Sequence, residues 1–133
     1  MLLALSCLTP LVAACGCPAD RAPSGLDMSL DSPLPPGIYT VTVCIDSACD
    51  TFADVGDPGH YLNERGDGEV ELDVQDDQIR LTSWRPIAPG DHEVAVGVEV
   101  SGEGGTALDF SDTVEFNRID RCHAEDSKAA IDL

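Results

Sequence analysis

Val94-Ala95-Val96-Gly97-Val98-Glu99-Val100 is the stretch that decides the fold. Valine stands at every second position, with Ala, Gly and Glu between. A period of two places the four valines on one face of an extended chain and the remaining residues on the other. Two further stretches share that period. Tyr39, Val41, Val43 and Ile45 alternate with Thr40, Thr42 and Cys44, and Val70, Leu72 and Val74 alternate with Glu69, Glu71 and Asp73. Shorter strand candidates are Leu26–Leu30, Thr51–Val55, Gln78–Trp84, Ala107–Phe110, Thr113–Phe116 and Ala129–Leu133. Helical periodicity is weak throughout, with a stretch around His123–Lys128 as the one exception. Turn residues recur at roughly the 8–12-residue spacing of an all-β sandwich or barrel. The chain is therefore expected to be all-β, an antiparallel body of about seven to nine short strands.

An internal echo supports this. Pro33-Leu34-Pro35-Pro36-Gly37-Ile38-Tyr39-Thr40-Val41-Thr42-Val43 matches the pattern of Pro86-Ile87-Ala88-Pro89-Gly90-Asp91-His92-Glu93-Val94-Ala95-Val96. Pro-Gly makes a tight turn, and the second residue after Gly opens a strand. The expectation is two sheets, each receiving one strand through the same kind of entry. Duplication of a half-domain is the alternative.

The chain has 133 residues, the size of one domain, and a net charge of −18. Such a charge excludes electrostatic capture of nucleic acid or of an anionic membrane, since both need a basic face. A hydrophobic fraction of 43% argues against a disordered chain.

Residues 1–14 read MLLALSCLTPLVAA and carry no charge. The run is too short for an ordinary transmembrane helix, but it matches the apolar core of a secretory signal, with Ala13-Ala14 as small residues for cleavage. Val12-Ala13-Ala14-Cys15 resembles the lipobox of bacterial lipoproteins. The resemblance implies cleavage before Cys15 and lipid on its sulfur, hence a palmitate-bearing anchor at the cell membrane or envelope. No Lys or Arg precedes the apolar run, so a positive leading segment would have to lie upstream of Met1. The alternatives are a plain secretory signal cut after Ala14 and a cytosolic domain with a buried first strand. Residues 15–25, rich in small residues, Pro and Gly, read as a tether, and 26–133 as the domain.

The entry Leu34-Pro35-Pro36-Gly37-Ile38-Tyr39-Thr40-Val41-Thr42-Val43 resembles strand entries in immunoglobulin-like and fibronectin-III-like sandwiches of secreted proteins. Cys122 followed by Ala129-Ala130-Ile131-Asp132-Leu133 is similar to the closing strand of small immunoglobulin-like bacterial lipoproteins. These resemblances imply an Ig-like β-sandwich behind a lipoprotein signal peptide.

Six cysteines occur. Cys7 leaves with the signal and Cys15 takes lipid, so Cys17, Cys44, Cys49 and Cys122 remain. An even number in an exported domain suggests two disulfides, with three connectivities open. Cys44-Ile45-Asp46-Ser47-Ala48-Cys49 fits a hairpin with its two sulfurs facing, which leaves Cys17–Cys122 as the second pair. The spacing is neither Cys-x-x-Cys nor that of a zinc finger.

The acids Asp54, Asp57, Asp67, Asp73, Asp76 and Asp77 lie in or near loops, where carboxylates can hold calcium. Of these, Asp54, Asp57, Asp67, Asp76 and Asp77 are the calcium candidates, against a reading as solvated surface. Asp76-Asp77 reads as a turn. His60, His92 and His123 are scattered, and His92 takes the place of Tyr39 in the echo, as a packed histidine would. Arg65-Gly66-Asp67 reads as turn chemistry, and Gly102-Glu103-Gly104-Gly105 as a hairpin loop. Trp84 reads as core filling, with an exposed binding anchor as the alternative. No Gly-x-Ser-x-Gly elbow occurs, and Ser47 has no identifiable base. The expectation is a non-catalytic envelope lipoprotein without cofactor, which meets a protein or polysaccharide of the envelope. The alternatives are a calcium- or ligand-binding module and a small hydrolase.

Overall fold

The structure, a computed structural model, describes residues 22–64, 66, 68–85, 87, 92–119, 122–123 and 127–133. These form nine strands: β1 (Ser24–Ser29), β2 (Tyr39–Ile45), β3 (Ala48–Val55), β4 (Gly59–Leu62), β5 (Val70–Val74), β6 (Gln78–Ser83), β7 (His92–Gly102), β8 (Gly105–Arg118) and β9 (Ser127–Asp132). No helix occurs among the described residues. Ser127 and Lys128, at the end of the one stretch with helical periodicity, belong to β9. Ser24 and Gly25, expected in the tether, already pair with β6.

The strands make one mixed sheet in the order β3-β2-β7-β8-β9-β1-β6-β5-β4. Only β1 and β9 run parallel, Leu26 opposite Ala129 and Met28 opposite Ile131. The sheet curls until its two ends nearly meet. Glu64 N–H donates to the Thr51 carbonyl at 2.9 Å, and Asn63 Nδ2 donates to Asp50 Oδ1 at 3.3 Å. Backbone and side chain thus bridge the gap between β3 and β4, where no ladder forms.

The valine repeat behaves as its period requires. Val94, Val96, Val98 and Val100 are all buried, and they meet Val41, Val43, Phe52, Phe116, Leu26, Met28, Leu72, Ile79 and Leu81 in one core. Their alternates Glu93, Ala95 and Glu99 are exposed.

One expectation from the echo is corrected. The two strands that follow the Pro-Gly entries, β2 and β7, are antiparallel neighbours in the same sheet, Val41 opposite Val100 and Val43 opposite Val98. Alternation fixes which face of a strand is apolar but not which strand lies beside it, so the echo could not assign sheets.

The turns follow their residues. Asp46-Ser47 closes the β2–β3 hairpin, with Asp46 at φ 60°. Glu103-Gly104 closes β7–β8 as expected, and Gly105 sits at φ 107°, where a side chain would be strained. Gln75, Asp76 and Asp77 turn β5 into β6, and Gln75 N–H donates to the Gln78 carbonyl. Asp54, at φ 56°, is the extra residue of a bulge: Val41 opposes Phe52, but Tyr39 opposes Val55. Asp is among the few residues that enter the left-handed region readily.

Candidate functional site

The β2–β3 hairpin carries the chemistry most easily checked. A two-residue turn makes Ile45 and Ala48 a hydrogen-bonded pair, so the next pair, Cys44 and Cys49, is a non-hydrogen-bonded one. Such pairs bring Cα atoms closest. Cys44 and Cys49 are directly opposite, with Cα atoms 4.0 Å apart, and are joined by a disulfide with S–S 2.03 Å. The bond lies on the outer face, with Cys49 exposed. Cys122 is also disulfide-bonded. Cys17, its expected partner, and Cys15, the expected lipid acceptor, lie outside the described residues.

The tip of this hairpin faces the end of β6. Between them lies a pocket of about 180 Å³. Its apolar walls are Ile45, Val70, Leu81 and Ile87, and its polar groups are Asp50, Ser83 and Arg85. Asp50 shares the inward phase of β3 with Phe52 and is only 7% exposed. A carboxylate there needs partners. Arg85 Nη2 donates to Asp50 Oδ2 at 2.7 Å, and Asn63 holds the other oxygen. Arg85 Nε lies 3.6 Å from Glu69 Oε2, and Ser83 Oγ donates to the Arg85 carbonyl at 2.7 Å. The guanidinium thus ties β3 to the ends of β5 and β6, while Asn63 ties β3 to the end of β4.

Trp84 stands beside this network in the chain. Its backbone N–H donates to the Glu69 carbonyl at 2.7 Å. Ile79, Leu81 and Ser83 point inward, so the next residue points out, and Trp84 is 52% exposed. This corrects the core-filling reading: the indole follows the strand's alternation onto the outer face. Ile38 and Leu62 are the other large exposed apolar residues among those described.

The outer face of β4, β5, β6 and β1 carries a row of charges in register. His60 opposes Asp73, Asp73 opposes Arg80, and Arg80 opposes Asp27. His60 Nδ1 lies 2.7 Å from Asp73 Oδ1, and its Nε2 lies 2.9 Å from Glu71 Oε1. Arg80 Nε donates to Asp27 Oδ1 at 2.6 Å. The bonds to Asp73, then to Glu71, raise the His60 pKa above its usual value, because both favour the imidazolium.

The remaining sequence candidates do not come together. Asp54 is the bulge residue, Asp57 lies in the β3–β4 loop, and Asp76 and Asp77 lie in the β5–β6 turn. Among the described residues, no three His, Cys, Asp or Glu side chains are grouped to hold a metal ion. Asp67 and Arg65 lie outside the described residues, as does the side chain of His92. His123 is buried. Ser47 is a turn residue of the disulfide hairpin.

The Asp50–Arg85–Asn63 network was missed at sequence level. Its one signal is phase: Asp50 falls on the apolar face of β3, which predicts a buried carboxylate in need of a cation.

No family model matches the chain, and no curated protein or solved structure shows significant similarity to it.

Proposed function

We infer that this chain is a non-catalytic, exported module of a bacterial cell envelope, lipid-anchored through Cys15, which binds an envelope protein or polysaccharide. The observation that carries the binding reading is Trp84. A half-exposed indole combines a large apolar body with an N–H donor, the chemistry of a binding hot-spot anchor. Export is supported by the Cys44–Cys49 disulfide, because such bonds persist mainly outside the reducing cytosol. For the finer form of the fold the proposal is an Ig-like sandwich, a reading supported by the short pairing of β8 with β9, at only two positions.

Two experiments test this. The chain has one tryptophan, so its emission reports on Trp84 alone. Titration of the full chain with purified envelope polysaccharide and with envelope protein fractions is expected to give a saturable blue shift with one of them. A flat titration with all of them sinks the binding reading. Labelled palmitate is expected to enter the parent and not Cys15→Ala, and equal labelling removes the anchor.

A further inference from the structure

The longest strand has an open side. β8 pairs with β7 from Gly105 to Phe116, but with β9 only at Asn117 and Arg118. Among the described residues, no strand covers its other edge from Gly105 to Phe116.

The register says which groups point there. The two-residue turn makes Ile45–Ala48 a hydrogen-bonded pair, and alternation carries that phase through β2 and β7. Even-numbered residues from Leu108 to Phe116 then bond to β7. The N–H and C=O groups of Asp109, Ser111, Thr113 and Glu115 point away from it. Asp46 N–H donating to the Ala95 carbonyl at 2.8 Å agrees with this phase, since it shows odd-numbered β7 residues facing β2. So does Thr113, whose N–H is taken by the neighbouring Asp112 Oδ1 at 2.7 Å and not by a strand.

The charge beside this edge is one-sided. Glu99 stands directly opposite Asp109, and Glu93 directly opposite Glu115. All four are exposed. Like charges directly opposed are unfavourable. No Lys or Arg occurs in residues 39–55 or 92–117, which supply β2, β3, β7 and the paired length of β8. The outer face of β4, β5, β6 and β1 instead alternates His60, Asp73, Arg80 and Asp27 in register. Between Gly105 and Asn117, β8 and the strand it pairs with, β7, thus carry acids and no Lys or Arg.

We propose that the β8 edge between Ala107 and Glu115 takes up an extended, Lys- or Arg-bearing segment of a partner protein as an added strand. Main-chain bonds to Asp109, Ser111 and Glu115 supply the pairing, and basic side chains on the outward phase meet Asp109 and Glu115. A second copy of this chain would bring the same acids to the same face and is disfavoured. The proposal deepens the binding reading above and rests on it for the existence of a protein partner.

The test uses the full chain and a capped ten-residue peptide of alternating Lys and Thr, with a Glu-for-Lys peptide as control. Amide hydrogen exchange is read residue by residue. Saturating Lys peptide is expected to slow exchange at Asp109, Ser111 and Glu115 at least tenfold, with even-numbered β8 amides unchanged and no effect of the Glu peptide. Ser111→Pro, which deletes one edge donor, is expected to weaken binding at least tenfold. The pair Asp109→Lys with Glu115→Lys, both at exposed positions, tests the charge if the proline variant does not fold. Absent protection, protection confined to another strand, undiminished binding in these variants, or self-association through β8 would each overturn the proposal. A shift in Trp84 emission without β8 protection sinks the edge and keeps the indole surface. Protection of β8 in a chain that takes no palmitate keeps the edge and sinks the anchor.

Discussion

Replacing both Cys44 and Cys49 by serine tests what the disulfide does for the fold. The bridge spans a sequence separation of only five residues. In the chain-entropy model a loop that short restricts the unfolded ensemble by about 2 kcal/mol at room temperature. Little else is lost with it. The sulfurs lie on the outer face, so the core partners Val43 and Phe52 stay where they are. The turn keeps its own bond, Asp46 N–H to the Ala95 carbonyl. Thr42 and Thr51, the next outward pair, remain opposite each other. Unfolding of roughly 110 residues carries about 0.23 kcal/mol per kelvin of entropy near the midpoint, so 2 kcal/mol corresponds to about 9 °C. Urea melts of parent and double variant, both with the Cys122 disulfide intact, are expected to differ by that amount with equal slopes. Calorimetry should give the matching shift. A loss above about 4 kcal/mol would mean that the hairpin depends on the bond for its register, against the short-loop argument. No loss at all would mean that the unfolded chain is not restricted by the bridge.

Other perturbations separate the remaining parts. Arg85→Ala removes a charge-assisted bond to a carboxylate that is 8% exposed, and is expected to cost about 2 kcal/mol in urea melts. Asp50→Asn combined with Arg85→Met should recover most of that loss, because the pair is then replaced and not broken. Phe52→Ala, at a fully buried position, is expected to destabilise by about 3–5 kcal/mol by the same measurement. Asp54→Val puts a β-branched residue at φ 56° and is expected to cost about 1–2 kcal/mol, whereas Asp54→Asn should fall within about 0.5 kcal/mol of the parent. His60→Ala addresses pH. A raised folded pKa means that the histidine's contribution is complete below the unfolded value of 6.5 and fades as pH rises through the folded one. The parent's margin over the variant should therefore be largest near pH 5.5 and smaller at pH 9. At half exposure it should reach no more than about 1 kcal/mol.

Most strands were legible because their residues alternate. Tyr39–Ile45 and Val70–Val74 are found at the bounds their pattern indicated. The Gly59–Leu62 strand was not, since Gly-His-Tyr-Leu has too few apolar positions to show a period. Its place comes from pairing with β5 and from the two charge contacts of His60. The 105–118 strand read as two pieces because Asp112 interrupts the apolar phase between Phe110 and Val114. The structure keeps it whole: Asp112 stands opposite buried Val96, and its carboxylate turns to the Thr113 N–H. The disulfide was legible from spacing, because facing positions on a two-residue hairpin are fixed by count. The Asp50–Arg85 pair was not, because its partners are 35 residues apart and meet only through the fold.

The distribution of charge ties these observations together. A chain with a net charge of −18 must place many carboxylates near one another. On the outer face of β4, β5, β6 and β1 it separates them with His60 and Arg80, and at the barrel end it neutralises Asp50 with Arg85. On β7 and β8 it sets Glu99 against Asp109 and Glu93 against Glu115. If solubility were the only demand, the few basic residues would lower the energy more by standing between those pairs. Instead the repulsion falls along the one long strand whose edge has no neighbour among the described residues. An incoming basic strand would relieve that repulsion and complete the ladder in the same step, so the charge pattern and the open edge favour the same occupant.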